Sequence, residues 1–304
     1  MLYQPDAPGD WGQMLESDTI KTATDILKTS DGCTIFIRSW VADSPDILLI
    51  LHGLGAHSGW FIDMGNKLAA RGTTVYAMDH RGFGRSGGLP GHIENYHTYV
   101  EDINFIVTTM RKRHPEAAIH ILGHSMGGIF ASHFAAKYQN MLTSVLFLNP
   151  WIQDTSQTPV LTTLRILVGG IFKSHHYWQV VGGSEVMTTN PEAIQLLRTD
   201  TYWCRKQTAS FLFQIFLMRS AALKNAKLIT KPGLVMQAEA DKSVVSEASH
   251  NLYEKLVSND KMWKIFPGYA HDSEFEADRT LLDNEVVTWI AEHMRELSVS
   301  GVDQ

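Results

Sequence analysis

The chain has 304 residues, 44% of them hydrophobic, and its 26 basic against 32 acidic side chains leave a formal net charge of −6. That composition fits a globular protein, and the length is enough for one large α/β domain with an insertion or for two average domains. The same composition argues against a disordered chain and against a nucleic-acid binder, which would carry a basic surface.

Apolar, β-branched-rich runs recur along the chain at Thr34–Trp40, Ile47–His52, Thr74–Asp79, Ala118–Leu122 and Ser144–Asn149, and again at Gly233–Gln237 and Met262–Phe266. Helical patterns lie between them, clearest where Tyr96, Val100, Ile103, Val107 and Met110 alternate four and three apart. The basic run Arg111-Lys112-Arg113-His114 ends that predicted helix, where cations complement the helix dipole. A closing helix is predicted over Leu281 to Leu297. Strands alternating with helices predict an α/β fold, a mostly parallel central sheet flanked by helices on both faces.

Residues 151–231 interrupt the rhythm with no strand-like run, and read as an inserted helical cap between core segments 1–150 and 232–304. The cap is expected over the C-terminal ends of the strands, where open α/β sheets bind ligands. Within it Val160, Leu161, Leu164, Leu167, Val168, Ile171 and Phe172 share one helical face. Burial against the core is expected for this stripe, with transient contact at a membrane surface, aided by Arg165 and Lys173, as the alternative. A membrane span is not expected, because the longest apolar stretch is short and contains Arg165. The first residues lack the basic start and apolar core of an export signal. Cys33 and Cys204 cannot build a disulfide framework. Both features make a cytoplasmic location the expectation.

The sharpest motif spans residues 119–130, Ile-His-Ile-Leu-Gly-His-Ser-Met-Gly-Gly-Ile-Phe. An apolar run, then Gly-x-Ser-x-Gly at 123–127, then a helical pattern is the sequence form of a nucleophile elbow, with Ser125 as the reactive residue. A serine on a sharp strand-to-helix turn needs strained backbone angles and neighbours without Cβ atoms, which Gly123 and Gly127 supply. Gly128 lets the helix lie near the sheet. In that geometry the Met126 N–H is one donor of an oxyanion hole.

Two further motifs precede it, His52-Gly53-Leu54-Gly55 and Asp79-His80-Arg81-Gly82-Phe83-Gly84-Arg85-Ser86, each after a strand. With Gly123-His124-Ser125-Met126-Gly127-Gly128 they resemble the α/β-hydrolase superfamily, and within it the monoacylglycerol lipase and lysophospholipase branch. The resemblance covers nearly all of residues 25–297 and is weakest through the cap. It implies a serine hydrolase of carboxylic acyl esters with an apolar acyl group, whose triad follows the order serine, acid, histidine. Of the late histidines, His250 and His293 sit in helical patterns, whereas His271 lies in a loop after a strand and is the expected base.

The resemblance places the acid at Asp241, with Glu239 as rival and Asp272 less favoured because adjacent side chains rarely face each other. It places the second oxyanion donor at Leu54. Gly53, His124 and Trp151 are the expected substrate contacts, and Asp79 is expected to brace a loop. No cofactor is expected. Neither His52 with His57 nor His175 with His176 has the further ligands a metal needs, and no dinucleotide or phosphate loop occurs. Two other readings stay open: a ligand receptor that retains the fold without turnover, and thioester or C–C hydrolysis on the same triad.

Overall fold

In the computed structural model, which describes residues 21–155, 159–179 and 183–294, the apolar runs become the middle of one sheet. In chain order the first half contains β1 (Lys21–Lys28), β2 (Thr34–Val41), β3 (Asp46–Leu51), α1 (Ile62–Ala70), β4 (Thr74–Met78), α2 (His97–Arg113), β5 (Ala118–His124), α3 (Met126–Tyr138) and β6 (Ser144–Leu148). The chain then leaves the sheet for α4 (Val160–Ile171), β7 (Tyr177–Gln179), α5 (Ser184–Met187), α6 (Pro191–Thr199), β8 (Lys206–Thr208) and α7 (Ala209–Ala226). It returns as β9 (Gly233–Ala238), α8 (Ser246–Lys255), β10 (Lys261–Phe266) and α9 (Thr280–Glu292).

The eight-stranded sheet has the order β1-β2-β4-β3-β5-β6-β9-β10. From β4 to β10 every neighbouring pair is parallel, and β2 joins antiparallel to both β1 and β4. β3 shows why the runs are continuously apolar. Ile47, Leu49 and Leu51 face the cluster that holds α2 and α3, while Leu48 and Ile50 face the one that holds α1 and α9. A strand covered on both sides has no polar alternation.

Four features differ from the sequence expectation. β1 was not foreseen, because Lys-Thr-Ala-Thr-Asp-Ile-Leu-Lys is an edge strand with mostly exposed side chains whose pairing with β2 decides its state. The interval after β6 contains two short strands, β7 and β8, paired antiparallel through Tyr177–Thr208, Trp178–Gln207 and Gln179–Lys206. Each has three residues, too few for a periodic signal. The apolar stripe of α4 is not buried: Val160 is 85% exposed, Leu164 54%, Ile171 64% and Phe172 78%. The helix instead packs on α7 through its small residues, and a Cβ on Gly170 would stand 2.1 Å from the Cβ of Phe213. The closing helix ends at Glu292, and residues 295–297 lie outside the described residues.

The segment after β6 is tied to loops at the C-terminal ends of the strands. Cys204 N–H donates to Gly55 O at 2.9 Å, Thr208 N–H to Gly91 O at 2.9 Å, and Ser210 Oγ to Ile93 O at 2.6 Å. α7 also serves the main core, since Phe211, Ile215, Met218, Ala222 and Ala226 join the cluster formed by α2 and α3.

Asp79, just past β4, braces the loops above the sheet. Its two carboxylate oxygens accept from Ser58 N–H at 2.6 Å and Arg85 N–H at 2.7 Å, and the residue is 1% exposed. Asp79→Ala would deprive one buried and one half-buried N–H of this acceptor, and is expected to cost roughly 2–4 kcal/mol. Asp79→Asn, which keeps one acceptor, should cost less. Equilibrium denaturation of both variants measures this; equal stability of Asp79→Ala and wild type would contradict it.

Candidate active site

Ser125 occupies the junction between β5 and α3 with φ 52 and ψ −112, a conformation side chains rarely adopt. The strain is held by hydrogen bonds on both sides: Ser125 N–H donates to Leu148 O at 2.9 Å, and its carbonyl accepts from Gly128 and Trp151 N–H, each at 3.0 Å. The glycines make the turn sterically possible. A Cβ on Gly123 would meet Gly127 O at 2.3 Å, and one on Gly127 would meet Leu51 O at 2.0 Å. Gly127 is therefore where α3 touches β3, whereas Gly128 faces Pro150.

Two side chains from distant loops converge on the serine. His271 Nε2 lies 2.9 Å from Ser125 Oγ, and His271 Nδ1 lies 2.7 Å from Asp241 Oδ2. A carboxylate only accepts, so Nδ1 carries the ring proton and Nε2 turns its lone pair to the hydroxyl. Asp241 Oδ1 accepts from Ser243 N–H at 2.7 Å and Val244 N–H at 3.0 Å. Burial works against charge on Asp241, but the facing imidazole and these N–H groups outweigh it and hold the carboxyl below its ordinary value. For His271 burial pulls the other way from its partner, and the Asp241 carboxylate prevails, with help from Asp272, so the imidazole is raised above its ordinary value.

The loop after β3 brings backbone to the same place. A Cβ on Gly53 would lie 3.2 Å from Ser125 Cβ, so bare main chain passes beside the serine. Gly53 O accepts from His52 Nδ1 at 2.7 Å and from Ala56 N–H at 3.3 Å. In a planar trans peptide this turns the Leu54 N–H to the opposite side. Burial drives the His52 ring neutral, to a pKa of about 3, so that while Nδ1 donates to Gly53 O its unprotonated Nε2 can accept His80 N–H at 3.0 Å. Neither Leu54 N–H nor Met126 N–H has an acceptor among the described residues. Gly55, at φ 77, seats the loop against the interval after β6, where a Cβ would lie 2.6 Å from Cys204 O.

With this geometry in view, the comparisons with known proteins are specific. The family model Hydrolase_4, described as serine aminopeptidase S33, matches residues 43–278. The chain belongs to this family. A monoacylglycerol lipase of Mycolicibacterium smegmatis is 26% identical over 267 residues, covering 86% of this chain and 95% of that protein. The Homo sapiens monoglyceride lipase is 26% identical over 273 residues, covering 88% and 89%. The α/β-hydrolase fold is shared with a solved monoacylglycerol lipase of Paleococcus ferrophilus, with a TM-score of 0.78, 23% identity and coverage of 85% and 99%. It is shared too with a soluble variant of the Saccharomyces cerevisiae monoglyceride lipase bound to a substrate analogue, with a TM-score of 0.82, 18% identity and coverage of 92% and 98%.

Within this α/β-hydrolase site the remaining sequence candidates separate. Glu239 is exposed and caps Gly268 N–H at 3.0 Å, away from the imidazole. Asp272 is buried, 3.5 Å from His124 Nε2. His124 is 1% exposed, and its Nε2 donates to His271 O at 3.1 Å, so it bonds within the protein. Trp151 is half-buried, its indole N–H donates to Asp154, and Arg219 lies 5.2 Å over its ring. His124, His271 and Asp272 bring ligand-type atoms within 4.8 Å of one another; both ring nitrogens of His271 are engaged, whereas His124 is bonded through Nε2 and its Nδ1 has no hydrogen-bond partner among the described residues.

Two buried contacts escaped the sequence reading. His57 Nε2 lies 2.9 Å from Asp200 Oδ2, which Trp60 Nε1–H also reaches at 2.8 Å, fastening the loop after β3 to the interval after β6. The second is Asn149, which binds the His271 loop; an Asn ending a strand just before Pro150 was its only sequence signal.

The opposing influences on His271 make a signed prediction. Asp241→Asn removes the group that holds the ring proton, leaving burial unopposed by it. The His271 pKa is expected to fall from above its ordinary value to below it, read by NMR titration of the ring. An unchanged pKa would show that Asp241 is not the partner.

Proposed function

We propose that this enzyme hydrolyses carboxylic acyl esters of the monoacylglycerol or lysophospholipid type, with Ser125 as nucleophile, His271 as base and Asp241 as the acid that orients it. The family and its monoglyceride lipase relatives make the chain a carboxylic ester hydrolase. The observation that carries the finer reading is the pair of contacts at 2.9 and 2.7 Å linking Ser125, His271 and Asp241 beside two N–H groups without acceptors.

In this mechanism the Ser125 hydroxyl attacks the ester carbonyl while His271 Nε2 takes its proton. The Leu54 and Met126 N–H groups accept the charge that develops on the carbonyl oxygen. His271 then gives the proton to the leaving alcohol and activates a water that releases the acid. Asp241 keeps the ring in the reactive tautomer and stabilises the imidazolium. The apolar interval after β6 acts as a cap that favours a greasy acyl chain, and no step calls for a cofactor.

Ser125→Ala should abolish labelling by a fluorophosphonate and lower kcat on a short p-nitrophenyl ester by roughly 10⁴-fold or more, with Asp241→Asn losing about 10³–10⁴-fold. A panel of monoacylglycerols, lysophospholipids, acyl thioesters and aminoacyl anilides then ranks the substrates. Full ester turnover by Ser125→Ala would overturn the mechanism; preference for the anilides would favour peptidase chemistry.

The exposed stripe of α4 supports a second element of the proposal, docking on a lipid surface that supplies substrate. No helix among the described residues is long and apolar enough to cross a membrane. Leu164→Glu combined with Phe172→Glu is expected to weaken flotation with anionic liposomes at least about tenfold while leaving turnover of a soluble short ester unchanged. Undiminished flotation would remove this element.

A further inference from the structure

We propose that Asn149 is a positioning residue, which fixes His271 at bonding distance from Ser125 and Asp241; the inference rests on reading those three as the reacting triad. The need for it follows from topology. Ser125 stands at the end of β5, Asp241 follows β9, and His271 follows β10 at the sheet edge, so the His271 loop must reach back across β9 and β6 to the serine. Sheet hydrogen bonding does not set the depth or register of that crossing. Asn149 sits at the end of β6, half-way along it.

Its side chain joins the three places that must be held in register. Asn149 Oδ1 accepts from Ala238 N–H at 2.7 Å, three residues before Asp241. Its Nδ2 donates to the carbonyl of His271 itself at 2.5 Å and to Ser273 Oγ at 3.0 Å. Its own N–H donates to Met236 O at 2.9 Å. The His271 carbonyl takes its second donor from His124, the residue before Ser125, at 3.1 Å. The backbone of the base is thus clamped between the strand that bears the nucleophile and the strand that leads to the acid.

The residue type suits this use. Asn149 is 0% exposed and has φ 46, a left-handed conformation that Asn tolerates better than most side chains. A short amide carries a donor and an acceptor on one rigid plane. Aspartate there would offer only acceptors to a carbonyl, and serine would not span the gap with both groups. Sub-ångström placement matters because a shift of about 1 Å in a reacting group can cost roughly 10²-fold in rate.

The test uses Asn149→Gly, which keeps the left-handed backbone without strain and deletes only the amide, and Asn149→Asp, which keeps the shape and deletes the donor. Val107→Ala, on the buried face of α2, provides a folding control of comparable melting-temperature loss. With active sites counted by exhaustive fluorophosphonate labelling, both Asn149 variants are expected to lose about 10²-fold in kcat with KM little changed. The control should keep kcat per site.

In Asn149→Gly the acid limb of kcat/KM, and the His271 ring pKa read by NMR, should both move down toward the ordinary imidazole value as Asp241 loses its hold. Wild-type kcat per site with an unmoved His271 pKa in Asn149→Gly would overturn the proposal, as would a loss no larger than that of the control. The NMR readout does not require turnover. A wild-type enzyme without labelling or ester hydrolysis would sink the triad reading, while a downward pKa shift would still support the positioning role.

Discussion

The site depends on the missing side chain at position 127. Because Gly127 has no Cβ, α3 starts in contact with the carbonyl of Leu51 at the end of β3, where any larger residue would place an atom 2.0 Å from that oxygen. The approach falls where β3 and β5 already pair, with Leu51 opposite Gly123, so the serine turn and the loop that carries the Leu54 N–H start side by side. It also forces the turn to be tight, so Ser125 takes a left-handed conformation and its hydroxyl stands clear of the helix. Strain of this kind, of order 1–3 kcal/mol, persists only where surrounding bonds over-determine it. Leu148, Gly128 and Trp151 supply those bonds.

Around the serine lies a layer of buried polar side chains, each bonded to backbone of a loop beyond the strand ends. Asp79 holds the loops after β3 and β4, His52 holds Gly53, and His124 and Asn149 hold His271. Loops that leave a parallel sheet have no ladder to fix them, so their backbone groups must be paired by side chains. The imidazoles of His52, His80 and His124 do this as neutral donors and acceptors, because burial lowers the pKa of each. His271 is the exception: the Asp241 carboxylate is hydrogen-bonded to its Nδ1 at 2.7 Å, and its pKa moves upward. One residue type thus serves as scaffold or as titrating group according to its neighbour.

The interval between β6 and β9 divides into parts with different physical roles. α7 buries Phe211, Ile215 and Met218 in the main core, and Asp200 anchors His57 and Trp60. α4 is attached by its glycine face and leaves its large apolar side chains in solvent. A folded protein gains nothing internally from that exposure, which is why a lipid surface enters the functional proposal.

The sequence alone determined what local chemistry dictates. Continuous apolar runs marked the buried parallel strands, helical spacing marked α2, and the glycine pattern around Ser125 marked the turn that no bulky residue could make. Matching motifs pointed to Asp241, His271, Leu54 and Met126 as residues worth testing, and the structure brings the serine, carboxylate and imidazole within bonding reach. Only the tertiary structure decided that the polar segment Lys21–Lys28 is a strand, that Lys206–Thr208 pairs with Tyr177–Gln179, and that the α4 stripe faces outward. It alone showed that Asn149 reaches the His271 loop. These depend on partners far away in the chain, and a residue's neighbours across a sheet or a helix crossing leave no periodic trace in its own segment.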